Sequence, residues 1–155
     1  MAEEGLLQPQ PRRPEPNERI TAALAHAAVI IPYMGFIAPT LIWTTQKDKS
    51  TYAAFQALQA TVYQLVMMMV WFIFLGCYMC SAIGNIPIQT SMYYYGNNLP
   101  EIFLLFFPLL MFGSILLFSL AWVIYGLAAA VMTLQGKDFR YVILGERIER
   151  FLESK

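Results

Sequence analysis

The sequence contains one pair of thiols, Cys77 and Cys80, which lie three residues apart. In a soluble βαβ unit, this spacing is typical of disulfide redox chemistry or metal binding. Here the pair ends an apolar run that begins at Leu65, and no strand precedes it. Free cysteine also packs as a small apolar side chain. We therefore expect a packing role, with a thiol or metal-binding pair near the outer face as the alternative.

His26 is the only histidine in the chain. The sequence has no Ser-His-Asp arrangement, paired carboxylates, glycine-rich phosphate loop or zinc-ligand spacing. The methionines at 67–69 point about 100° apart on a helix and cannot share one ion. We expect His26 to hydrogen-bond Gln59 or a backbone carbonyl. We also predict that the protein is not an enzyme and uses no cofactor or metal.

A polar stripe follows one face of a predicted helix. Its members recur at spacings of three and four residues: Tyr52, Gln56, Gln59 and Tyr63. Polar side chains in a membrane helix face protein or water, because lipid offers them no hydrogen bonds. We expect Gln56 and Gln59 to donate to backbone carbonyls freed near Pro32 and Pro39. The alternative is that the same two glutamines bind a substrate.

The helix that carries this stripe must lie in a membrane. Residues 51–133 contain one formal charge, Glu101, and no lysine or arginine. A soluble domain needs charged surface throughout, whereas a membrane helix needs about 20 mostly apolar residues. We predict a transmembrane hairpin of two helices, 51–81 and 100–135, joined by a loop over 83–99. Gly136 is expected to end the second helix as a left-handed cap.

The preceding segment, 18–45, is apolar but interrupted by Pro32, Gly35 and Pro39. Each proline is expected to remove an internal hydrogen bond and to clash with the turn before it. The segment is either one kinked span or a re-entrant hairpin that turns at 33–35. Each arm of a hairpin would be about 15–18 Å long, too short to cross a core of about 30 Å.

Small residues four apart create two faces on which helices can approach closely. One is formed by Ala23 and Ala27, and the other by Gly126 and Ala130. The proline-rich tail at 1–17 is predicted to be disordered, with Asn17 capping a helix that starts at residue 18. Residues 136–155 are predicted to form an interfacial tail with one apolar side.

The distribution of charge favours the hairpin over the kinked span. Under the positive-inside rule, Lys47 and Lys49 place the short loop at 46–50 in the cytoplasm, and five basic residues place the C-terminal tail there too. A single first span would put the basic N-terminal tail outside, whereas a re-entrant hairpin keeps all ten basic residues inside. We therefore predict a multi-pass protein of the cell (inner) membrane with both termini in the cytoplasm.

Several segments together carry a family resemblance: Glu18 to His26, Ile31 to Pro39, Ile42-Trp43 with Lys47 to Ser50, Phe55 to Ala60 and Gly136 to Tyr141. They resemble a small bacterial and archaeal membrane family of unknown function. That family is grouped with the chloroplast translocon subunit Tic-twenty and the magnetosome proteins MamF and MmsF. The sequence departs from the common pattern at Gln56, where relatives often have His or Asn, and at Val142, where they often have Pro.

The resemblance implies an all-helical, multi-pass membrane protein and does not imply an enzyme. We predict a non-catalytic structural or accessory subunit of a membrane assembly, in contact with the bilayer and with other membrane proteins or further copies of itself. With a net charge of zero, nothing indicates nucleic-acid binding. The alternative function is a component of a transport or protein-translocation pathway, with the glutamines and the proline-broken segment lining the path.

Overall fold

A computed structural model describes residues 13–95, 101–142, 144, 145, 148 and 150. Its main elements are four helices: α1 (Pro16–Ala27), α2 (Ile37–Gln46), α3 (Thr51–Tyr95) and α4 (Glu101–Leu134). Two stretches, Thr51–Gly84 and Pro108–Leu134, are long and apolar enough to cross a membrane. The predicted all-helical class with two long apolar helices is therefore confirmed. Most of the predicted disordered tail, 1–12, lies outside the described residues.

Helix α1 begins earlier than predicted. Pro16 is its first residue. Proline is tolerated there because the backbone N–H of the first helical residue has no hydrogen-bond partner within the helix. The N–H of Glu15 donates to the carboxylate of Glu18 at 2.7 Å, as in a capping box. The prediction that Asn17 caps this helix is wrong, because Asn17 already lies inside the first turn.

The break between α1 and α2 lies where the prolines predicted it. Helix α1 passes into a short 3₁₀ turn at Ala28–Ile30, and α2 starts at Ile37. Between them, Tyr33 has a φ of 62°, a left-handed conformation that reverses the chain. Pro39 acts differently from expectation. It is the third residue of α2, within the first turn, where it removes no internal hydrogen bond.

Helices α1 and α2 form a hairpin that covers only part of α3. Near one end of the bundle, the Arg19 side chain lies against Gly136, and further along Val29 lies against Gly126, so α1 runs antiparallel to α4. At the tip of the hairpin, the ring of Tyr33 meets that of Trp71, with centroids 5.9 Å apart. Because α3 continues to Tyr95, the hairpin ends about midway along it.

Helix α3 is longer than predicted. It continues through Pro87 to Tyr95, so the prediction of a loop beginning at residue 83 is wrong. A proline within a membrane helix frees one carbonyl, and local adjustments can satisfy it without ending the helix. Helix α4 likewise continues through Pro108 and ends one residue before the predicted position. The rest of the predicted loop, 96–99, and the predicted first residue of the next helix, Pro100, lie outside the described residues.

The small-residue faces pack within the chain itself. A Cβ atom at Gly126 would lie 2.9 Å from a methyl carbon of Val29, so only glycine allows this approach of α1 to α4. Ala23 and Ala130 are buried as well. In contrast, the outer sides of α3 and α4 expose large apolar residues such as Phe72, Ile73 and Leu117, as expected for surfaces facing lipid.

Candidate functional site

The chain re-enters the bundle directly after α4. Gly136 takes a φ of 77°, the N–H of Gly136 donates to the Thr133 carbonyl, and the N–H of Lys137 donates to the Met132 carbonyl. This is the Schellman arrangement, which ends a helix and redirects the chain. The four residues that follow, 138–141, lie against α1 and α3; we call them the return segment. Because Phe139 and Tyr141 are buried, the prediction of an interfacial tail from residue 136 is wrong for this part.

Two glutamines of α3 hold the return segment through its backbone. The amide nitrogen of Gln59 donates to the Phe139 carbonyl at 3.2 Å, and its oxygen accepts the N–H of Tyr141 at 3.2 Å. The amide nitrogen of Gln56 donates to the same carbonyl and to the Asp138 carboxylate, both at 3.1 Å. Both glutamine side chains are fully buried, so these bonds replace water.

His26 joins the first helix to this arrangement. Because both donor bonds of Gln56 point to the return segment, its oxygen faces His26 and accepts from Nε2–H at 3.1 Å. The other ring nitrogen, Nδ1, then accepts from the hydroxyl of Tyr141 at 3.0 Å. The hydrogen bonds therefore run in one direction, from Tyr141 through His26 and Gln56 to Asp138. We call these four residues and Gln59 the polar clamp.

The protonation states fit this direction. His26 lies in α1, outside both candidate spans, and its burial lowers its pKa to about 4 against a smaller opposite effect of the bond to Gln56. The ring is therefore neutral near pH 7, with one donor and one acceptor nitrogen. Burial, and to a lesser extent the neighbouring Tyr63 and Tyr125, raises the pKa of Tyr141 above its usual range, so its hydroxyl remains a donor.

Aromatic rings hold the other side of the return segment. The ring of Tyr63 lies between two nearly parallel rings, 4.1 Å from Trp122 and 4.2 Å from Tyr141 between centroids. Its hydroxyl donates to the Trp122 carbonyl at 2.8 Å. Tyr125 meets Phe139 and Tyr141 edge to face. Such pairs add to the energy of burial alone, so the segment is fixed by stacking as well as by hydrogen bonds.

The polar stripe thus faces protein, as predicted, but its partner is different. Tyr52 also reaches the chain after α4, where its hydroxyl donates to the Lys137 carbonyl at 3.0 Å. The prediction that Gln56 and Gln59 bind carbonyls near Pro32 and Pro39 is wrong. Another glutamine of α3, Gln64, lies at that turn, with its side-chain oxygen 2.6 Å from where a Cβ of Gly35 would stand. The side-chain partner of His26 on α3 is Gln56, not Gln59.

The remaining predicted residues lie apart from the clamp. Cys77 and Cys80 are exposed on α3, beyond the tip of the hairpin. Pro32 is exposed at the turn, whereas Pro39 is buried in the first turn of α2. In the described part of the chain, no three His, Cys, Asp or Glu residues are grouped so that they could hold a metal ion.

Sequence reasoning missed Tyr141, Phe139 and Asp138 as members of the site. A usable signal was present: aromatic residues at 139 and 141 alternate with charged residues at 138 and 140. A period of two is typical of an extended segment with one buried side. The clamp as a whole is a set of mutually satisfied donors and acceptors, which suits it to joining α1, α3 and the end of α4.

Comparison with known proteins gives one family match. The family model described as "Magnetosome magnetite crystal formation protein family" matches residues 17–148, which include every member of the polar clamp. No curated protein and no solved structure matches the chain.

Proposed function

Because this chain belongs to the magnetosome magnetite crystal formation family, we propose that it is a non-catalytic component of the magnetosome membrane. It would act as a structural or accessory subunit of an assembly on which the formation of magnetite crystals depends. The family description supports the link to magnetite. The polar clamp supports the structural role.

The structural role is supported by the buried polar groups, which form hydrogen bonds between different parts of the chain. Among the described residues, His26, Gln56 and Gln59 are the largest polar side chains that are fully buried, and each bonds another part of the chain. A group whose donors and acceptors are all engaged in holding the fold is not available to bind or transform a substrate. What the protein offers to its surroundings is instead the apolar outer surface of α3 and α4.

The alternative of a transport component receives less support. That hypothesis requires the glutamine stripe to line a path, yet Gln56 and Gln59 are fully buried against the return segment. A polar path also needs groups that can exchange partners with the cargo. The burial of both glutamines therefore favours a structural role over transport. Replacing the exposed Cys77 and Cys80 with serine is expected to leave function unchanged.

Partners are expected on the apolar sides of the long helices. The faces containing Ala23 and Gly126 are used within the chain, so they do not provide a contact for another protein. Association with further copies or with other membrane proteins would then involve the parts of α3 and α4 beyond the hairpin tip. Exposed residues there include Phe72, Ile73 and Leu109.

We also propose that both ends of the described chain lie on the cytoplasmic side. Arg19 lies against Gly136, and Tyr52, next to the basic loop at 47–49, bonds the carbonyl of Lys137. Three basic regions thus meet at one end of the bundle, as the positive-inside rule favours. Single cysteines at positions 13 and 48, in a variant lacking Cys77 and Cys80, should react with an impermeant maleimide from the same side. Labelling from opposite sides would exclude the hairpin topology.

Deletion of the gene in a magnetite-forming bacterium tests the function itself. We expect the protein to fractionate with the magnetosome membrane, and the deletion to change crystal size or number in electron micrographs. The wild-type gene and the double serine variant at 77 and 80 should both restore the crystals. Unchanged crystals in the deletion strain, or absence of the protein from that membrane, would refute the proposal.

A further inference from the structure

Three exposed lysines lie at one end of the bundle, next to the ends of the candidate membrane spans. The span in α3 begins two residues after Lys49 and four after Lys47, and the span in α4 ends three residues before Lys137. Four residues of helix rise about 6 Å, so all three lysines lie close to the membrane surface. The hydroxyl of Tyr52 donates to the Lys137 carbonyl at 3.0 Å, so the loop before α3 and the end of α4 are neighbours.

The charge of these lysines is only partly balanced by acidic residues. In the part of the chain that the structure describes, none of the three forms an ion pair. The exposed Asp48 lies between two of them in the sequence, so three positive charges less one negative charge leave a net charge of +2. Other basic residues at this end each have an acidic neighbour in the sequence: Arg13 with Glu15, Arg19 with Glu18, and Arg140 with Asp138.

The backbone around the three lysines is fixed by hydrogen bonds. The N–H of Lys47 donates to the Trp43 carbonyl at 2.9 Å, and the N–H of Lys49 donates to the Gln46 carbonyl at 2.9 Å. The N–H of Lys137 belongs to the Schellman arrangement that ends α4. A fixed backbone has less conformational freedom to lose on binding, so this end of the bundle presents preorganised positive charge.

A positively charged surface at the depth of lipid headgroups fits an anionic lipid. Each basic residue next to a membrane span changes the binding of anionic lipids by about fivefold. We propose that this end of the bundle binds the headgroups of anionic phospholipids, with the ammonium groups of Lys47, Lys49 and Lys137 attracting the phosphate as point charges. This proposal is independent of any role in magnetite formation.

Native mass spectrometry of the full-length protein in micelles tests the proposal. Phosphatidylglycerol and phosphatidylcholine with identical acyl chains would be added separately, so that the two lipids differ only in the headgroup. We expect phosphatidylglycerol to bind at least about fivefold more tightly, the effect of one uncompensated basic residue. Raising the ammonium acetate concentration from about 50 to about 500 mM should reduce this preference, because salt screens exposed charges.

Variants of the same residues separate charge from other contacts. Changing Lys47, Lys49 and Lys137 together to glutamine should remove the preference for phosphatidylglycerol, whereas changing them together to arginine should retain it. Asp48→Asn should increase the preference by up to about fivefold, since it removes the negative charge between two lysines. Glu101→Gln is the matched control, because it removes one negative charge at the other end of α4 and should leave the preference unchanged.

Four outcomes would overturn the proposal. The first is equal binding of the two lipids by the parent protein, and the second is an unchanged preference in the triple glutamine variant. If that variant does not fold, equal effects of Asp48→Asn and Glu101→Gln would decide against the proposal, since the preference would then follow net charge alone. Displacement of phosphatidylglycerol by inorganic phosphate at equal concentration would show that the surface takes a soluble anion instead of a lipid.

Discussion

Replacing Gln59 with leucine should release the return segment from α3. The glutamine accepts the N–H of Tyr141 and donates to the carbonyl of Phe139. Leucine has a similar volume but no polar atoms, so the N–H of Tyr141 would lose the acceptor it has here. The Phe139 carbonyl would still accept from Gln56. The change therefore affects one buried donor completely and one acceptor in part.

The magnitude follows from these two losses. An unpaired buried N–H costs about 1–3 kcal/mol, and the second hydrogen bond contributes about 1 kcal/mol. Together they amount to about 2–4 kcal/mol, or a change of roughly 30- to 1,000-fold in the equilibrium between docked and released segment. Amide hydrogen exchange measures this equilibrium locally, because the N–H of Tyr141 exchanges only when the segment opens.

The assay is hydrogen–deuterium exchange of the purified protein in micelles, followed at the amide of Tyr141. A matched control is Thr61→Val, since the buried Thr61 hydroxyl donates only to the Ala57 carbonyl of its own helix. The control should change exchange at Tyr141 by less than about threefold, the usual range for a distant change. If Gln59→Leu leaves exchange at Tyr141 as slow as in the parent, the clamp does not hold the return segment.

Two further predictions concern the stability of the bundle. The pKa of His26 is about 4 in the folded protein and 6.5 in the unfolded chain, so the unfolded chain binds the proton first as the pH falls. The free energy of unfolding should therefore be highest above about pH 6.5 and fall by about 3 kcal/mol on acidification to pH 4. Melting curves at pH 7.5 and 4.5 measure this loss of stability, which should be smaller in the His26→Gln variant. An equal loss in the parent and the variant would contradict the prediction. Gly126→Ala should lower the stability by about 1–3 kcal/mol, because its Cβ would press on Val29. Gly113→Ala, in the same helix with open space around it, should be neutral or slightly stabilising in the same melting experiment, and equal effects of both changes would refute the close contact.

Much of the fold could be predicted from composition and periodicity. One charge in more than 80 residues indicates lipid-facing helices, and the predicted break is found at Pro32, although Pro39 lies within the first turn of α2. The face shared by Gln56, Gln59 and Tyr63 was predicted correctly from helical spacing. These properties depend only on the residues of one segment and the solvent around it, so they can be predicted from the sequence of that segment alone.

The partner of that face could not be predicted by the same means. The return segment is four residues long and follows a helix end, where the chain can leave in several directions. Its position is fixed by contacts with residues about 80–115 positions earlier, such as Gln59 and His26. The length of α3 was misjudged for a related reason. Pro87 and Gly84 favour a turn in water, but in lipid a helix keeps its backbone bonded and is harder to interrupt.

The position of the return segment has a consequence for biogenesis. Residues 138–141 leave the ribosome after both long helices, yet they complete the surroundings of His26 in the first helix. Until they arrive, the polar side chains on α1 and α3 face each other without most of their final partners. The native arrangement is therefore complete only after residues 138–141 have been synthesised, and a nascent chain stopped at residue 135 would have its helices in the bilayer without these contacts.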